Sequence, residues 1–206
     1  MGTKLILSCL LLAILGSCNP VTDELTVLAS VSSDNELQEF KDILKSVDEK
    51  ISDRYPASNE QSSYRTFLDS LIISIKERHR IIELFDDKTI KDLFEEMDIV
   101  FRDELFAQSN QTFVDENTTI VRKSVRLRND GKYFMFLEKL AERSPEFRPY
   151  IEMLFNLNDP QNELRILTLA HSNLNLTKEE RLIIGIEYLV LSSNYFPSEA
   201  YPDLLP

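Results

Sequence analysis

Histidine occurs twice, cysteine twice and glycine four times in 206 residues, and tryptophan not at all. Each scarcity removes a class of chemistry. Two histidines leave no His-Glu-x-x-His and no Glu-x-x-His, so neither the zincin nor the di-iron bundle pattern is met. Four glycines are few for an all-β chain, which turns often. They supply no phosphate-cradling loop and no Gly-x-Ser-x-Gly elbow. Both cysteines, Cys9 and Cys18, fall at the start, so nothing after them can form a disulfide and stability has to come from packing. Positive charge is short as well. Lys and Arg number 23 against 35 Asp and Glu, a formal charge of −12. Such a field repels phosphate backbones, which disfavours nucleic acid, and it favours a basic partner while keeping the chain soluble. No cofactor and no metal is implied.

What is present begins with the first 18 residues. Lys4 is followed by an apolar stretch, Leu5 to Leu15, interrupted by Ser8 and Cys9, and then by Leu15-Gly16-Ser17-Cys18. The stretch is too short for a membrane-spanning helix, which needs roughly 20 apolar residues. The order basic, apolar, branched, small, small, Cys resembles the signal and lipobox of bacterial lipoproteins. That resemblance implies removal of residues 1–17, acylation of Cys18 (palmitate is the usual class of chain) and anchoring to a lipid bilayer of the bacterial cell envelope. Asn19 favours the outer over the inner membrane. The competing reading is a secreted eukaryotic protein, for which Asn110-Gln111-Thr112, Asn117-Thr118-Thr119 and Asn175-Leu176-Thr177 have the form of glycosylation acceptors. The resemblance covers 18 residues and implies nothing about the domain that follows.

Residues 18–33 read as the lipidated cysteine and a tether. Pro20, Thr22, Ser30, Ser32 and Ser33 break any long period, while Leu25, Val27, Leu28 and Val31 are apolar enough to dock on the domain. Residues 34–206 read as one acidic domain, all-α and bundle-like, with about six helices. Ser33 and Glu36 form a capping-box signature ahead of Leu37, Phe40, Leu44, Val47 and Ile51 on one stripe, and Tyr55-Pro56 ends that helix. A second helix spans about 61–85. Asp86-Asp87 caps a third over about 88–107. Residues 108–131 suggest a loop or irregular helix. The alternative is a small β-hairpin near 119–136, turning at Asn129-Asp130-Gly131. Tyr133, Phe134, Leu137 and Leu140 nevertheless have helical spacing. Three more helices start at Ser144-Pro145, Asp159-Pro160 and the capping box Thr177/Glu180, and a proline-containing tail packs back across the domain.

Candidate functional residues are few. His79 and His171 both sit on apolar stripes. They read as a buried pair able to bind metal or exchange protons, or as two singly bonded core histidines, and the second reading is preferred. The acidic pairs Asp86/Asp87 and Glu95/Glu96 consist of neighbours about 100° apart on a helix, which is wrong for two carboxylates facing a cleft. The one charge anomaly is basic: Arg122, Lys123, Arg126, Arg128 and Lys132, a candidate partner-binding cluster inside an acidic protein. These readings lead to a membrane-anchored envelope lipoprotein with a non-catalytic role, binding or chaperoning another envelope component in the manner of an immunity protein or pilotin. The alternatives are an envelope enzyme using His79, His171 and nearby carboxylates, and a carrier of an apolar ligand.

Overall fold

The computed structural model describes residues 25–78, 80–115, 118–156, 162–172 and 174–195. Cys18, His79, Asp159-Pro160 and the C-terminal tail lie outside them. The elements in chain order are α1 (Thr26–Ala29), α2 (Asp34–Arg54), α3 (Glu60–Arg78), α4 (Asp87–Glu96), α5 (Ile99–Leu105), β1 (Phe106–Asp115), β2 (Thr118–Leu127) and α6 (Gly131–Arg143). A 3-10 turn (Pro145–Phe147) leads into α7 (Arg148–Asn156), followed by α8 (Asn162–His171) and α9 (Lys178–Tyr195). The fold is all-α with one small antiparallel ribbon, as the sequence suggests.

The helix starts follow their capping signals. Glu36 Oε2 accepts from the Ser33 N–H at 2.6 Å, while the Ser33 hydroxyl accepts from the Glu36 N–H. The Thr177/Glu180 box closes in the same way, at 3.0 and 3.3 Å. Asp86 caps α4 through the Thr89 N–H. Each such cap satisfies amides that have no partner inside the helix.

Helix α9 is the centre of the packing. Every residue from Glu179 to Ser193 is buried. The sequence stripe Leu182, Ile183, Ile186, Leu189 and Val190 suggests one inward face, but Ile184, Tyr188 and Leu191 cover the other side. A helix apolar all round belongs inside. It packs on α2, α8 and β2. Gly185 makes the α2 contact close: a Cβ built there would stand 3.1 Å from Val47 Cγ2.

Several polar groups on this buried helix reach partners on other elements. Glu187 is fully buried and receives the Arg165 guanidinium in a fork, Nε to Oε1 at 3.0 Å and Nη2 to Oε2 at 3.1 Å. The Tyr150 hydroxyl donates to Oε1 at 2.7 Å. Burial works against the charge on Arg165, but Glu187 outweighs it and the guanidinium pKa is raised. Burial, with Glu187 beside it, holds the Tyr150 phenol well above its ordinary value, so it stays a donor. The Tyr188 hydroxyl donates to Ile82 O at 2.6 Å and accepts from Leu84 N at 2.7 Å. The Asn194 side chain pairs with both backbone groups of Val125, each at 2.9 Å, and so pins β2 to α9.

Three expectations need correction. The second helix stops at Arg78, and Arg80–Phe85 is irregular, with Ile81, Leu84 and Phe85 buried and the backbone held by Tyr188. The third breaks in two because Asp98 accepts from the N–H groups of Val100 and Phe101 and starts a new helix inside an unbroken apolar stripe. Arg102, itself buried, donates to Phe94 O and ties the halves together. Residues 108–115 and 118–127, read as loop or irregular helix, belong to a β-ribbon pairing Phe106 with Leu127 through Asp115 with Thr118. This ribbon is not the one centred on Asn129-Asp130-Gly131. Gly131 instead takes a φ of +84° to enter α6, and 133–136 is helical.

Severing the buried pair should be costly. Arg165→Met is expected to lose about 3–5 kcal/mol in urea denaturation, because it strands the Glu187 charge. The double variant Arg165→Met/Glu187→Leu should recover most of that loss. A single-variant cost below about 1 kcal/mol would show that the carboxylate finds other relief.

Candidate functional site

Residues 25–31, which the sequence reads as part of a tether, belong to the folded domain. Leu25, Val27 and Leu28 are buried. The first amides of α1 have no helical partner. Glu179, at the start of α9, supplies one: its Oε1 accepts from Val27 N at 2.5 Å and Leu28 N at 3.2 Å. Burial raises the Glu179 carboxyl's pKa, and the two amides and Arg143 pull against that rise. Lys139 reaches the Ser30 hydroxyl and Arg143 the Thr26 hydroxyl, both at 3.3 Å. The apolar residues that the sequence marks for docking therefore do dock.

Beside this segment runs a surface groove of about 790 Å³. One wall is α2, from Leu37 to Asp53; the other is formed by Leu25, Thr26 and Ala29, with Glu60 and Lys178 also contributing to the lining. Leu25 and Leu44 are buried in its floor. At one end sits a knot of charge around Arg181, which is 2% exposed. Its guanidinium forks onto Asp48, with Nε–Oδ1 and Nη2–Oδ2 both 3.2 Å, and bonds Glu60 Oε2 at 2.5 Å and Leu176 O at 3.2 Å. It also lies 5.7 Å from the centre of the Tyr64 ring. Leu176 has a φ of 58°, an uncommon conformation for a branched residue, and its carbonyl is held by this cation. Arg181 thus fixes α2, α3 and the entry to α9 against one another, and with them the acidic end of the groove.

Neither the groove nor the knot is in the sequence reading. A faint signal exists: Arg181 interrupts an apolar run, and Asp48 flanks the core stripe of α2. Which carboxylates meet which guanidinium is decided at a separation of 133 residues for Asp48.

Two members of the basic cluster are paired within the domain. Lys132 Nζ contacts Glu36 Oε1 at 2.5 Å. Arg128 pairs with Asp130 at 3.0 Å and also donates to Asp103 O. Positions 122 and 123 lie on β2 in register with 111 and 110. Arg126 is exposed. His171 is exposed, with Nε2 3.0 Å from Lys76 Nζ, and His79 lies outside the described residues. Among the described residues no group of three His, Cys, Asp or Glu is placed to hold a metal, and no helix is long and apolar enough to cross a membrane. The chain has no match among known family models, curated proteins or solved structures.

The Lys132 contact has a pH signature. Partial burial opposes ionisation of Glu36, but Lys132 and the Ser33 hydroxyl and N–H outweigh it and hold the carboxyl at about 2, from an ordinary 4.5. A depressed carboxylate stabilises the fold above its unfolded pKa, and the contribution fades as pH falls towards the folded value. Wild type should therefore melt above Glu36→Gln at neutral pH, with the gap closing between 4.5 and about 2. A pH-independent gap would assign the effect to packing alone.

Proposed function

We propose that this chain is a bacterial lipoprotein, acylated at Cys18 and held at the cell envelope, whose domain binds or chaperones another envelope component without catalysing a reaction. The observation that carries the anchor is Cys18 itself, closing Leu15-Gly16-Ser17-Cys18 after one lysine and an apolar stretch, with no cysteine after it. Two or more acyl chains give stable membrane attachment, whereas one gives only marginal binding. Asn19 places it at the outer membrane in preference to the inner.

The fold adds support on the side of use. Leu25, seven residues after the cysteine, is already buried in the domain. Seven residues span at most about 24 Å, so the groove wall lies within that distance of the acylated end. A domain held so close meets membrane-bound partners at a raised effective concentration without any new contact. The groove is a surface with the shape to use that proximity.

Cys18→Ala should leave an uncleaved or soluble protein that no longer partitions with membranes. Mass spectrometry of the wild-type protein should find an N-terminal Cys18 carrying fatty acid. Unchanged partitioning of the variant, or a mature N-terminus elsewhere, contradicts the anchor.

A further inference from the structure

The geometry points to the groove beside α1 and α2 as the seat of an amphipathic helix from a partner protein, with acidic residues towards one end and basic residues towards the other. The groove itself carries this inference. Only its membrane-proximal setting rests on the lipoprotein reading.

Length comes first. The α2 wall runs from Leu37 to Asp53, about 24 Å at 1.5 Å per residue, which is four to five turns of helix. Along its base lie Leu37, Leu44 and, from the facing wall, Leu25. This is the arrangement in which a helix lays an apolar stripe into a trough, with anchors spaced three and four apart.

Charge then selects the occupant. Lys41 and Lys45 line one half of the wall; Asp48, Glu49 and Asp53 line the other, and Glu60 of α3 adds to the acidic half. Lys178 contributes a further ammonium from α9. The Lys45–Glu49 contact is long, 4.0 Å between exposed side chains, and yields easily to a new partner. Arg181 fixes Asp48 and Glu60, so the acidic end is pre-ordered before anything binds. A lone acyl chain offers no partner to Lys41, Asp53 and the weakly paired Lys45 and Glu49 while drying their surroundings, which is costly. A second copy of the chain would bring an identical concave groove, which leaves the first unfilled. A helix with sorted charge fills the trough and pairs both halves of the rim.

The test uses two synthetic peptides of about 16 residues and identical composition. Both carry leucines at helical three-four spacing. One has its glutamates in one half and its lysines in the other; the second has the same charges in alternating order. Binding to the purified protein is read by fluorescence anisotropy. The sorted peptide should bind about tenfold more tightly than the alternating one, the sum expected of several exposed pairs. Salt should narrow the ratio. Lys41 and Lys45 are exposed, so Lys41→Glu/Lys45→Glu should stay folded by circular dichroism and lose the preference. Equal binding of the two peptides, or binding of neither, overturns the inference. So does a dimer in sedimentation that this double variant dissolves. Sorted-peptide binding by a protein whose Cys18 carries no lipid would keep the groove assignment and remove the anchor; an acylated protein that ignores both peptides does the reverse.

Discussion

A carboxylate with no solvent around it has to find its partners inside the fold, and Glu187 does so on the one helix that is buried on every side. Arg165 from α8 and Tyr150 from α7 converge on it. That pairing gains little net stability over an apolar core, but leaving it half made is expensive. It therefore specifies which faces of α7, α8 and α9 meet. The same helix carries Arg181 to α2 and α3, Glu179 to α1, Tyr188 to the irregular 80–85 segment and Asn194 to the ribbon. These five side chains address different neighbours, so one helix positions α1, α2, α3, α7, α8, the 80–85 segment and the ribbon.

The consequence for function runs through the first turn of α9. Glu179 satisfies amides at the start of α1, the segment that leads back to Cys18, and Arg181 two residues later fixes the acidic end of the groove. The α1 wall of the groove and its acidic end are thus held by neighbouring side chains of one rigid element. In the lipoprotein reading, Leu25 of the groove wall lies within about 24 Å of Cys18, the reach of seven residues.

Local signals were legible in the sequence wherever they are chemically self-contained. The boxes Ser33/Glu36 and Thr177/Glu180, the Asp86 cap and the stop at Tyr55-Pro56 each need only a few consecutive residues, and each appears where expected. The failures have physical causes too. Asp98 starts a helix inside an apolar stripe that continues through it, so periodicity hides the break. Strand β1 reads Gln-Ser-Asn-Gln-Thr along much of its length, with no alternation to reveal it, and is recognisable only once β2 lies beside it. The basic cluster was visible as charge, but Lys132 meets Glu36 across 96 residues, which no local pattern announces. The groove was illegible too, since Glu60 and Lys178 in its lining, and the Arg181 and Glu179 contacts that hold it, come from distant parts of the chain.

Native-state hydrogen exchange tests most directly whether α9 is the element on which the domain depends. Amides from Leu182 to Leu191 should exchange only through global unfolding, and later than those of α4 or the ribbon. Exchange of these amides through smaller openings, while α2 stays protected, would contradict the account and move the organising role elsewhere.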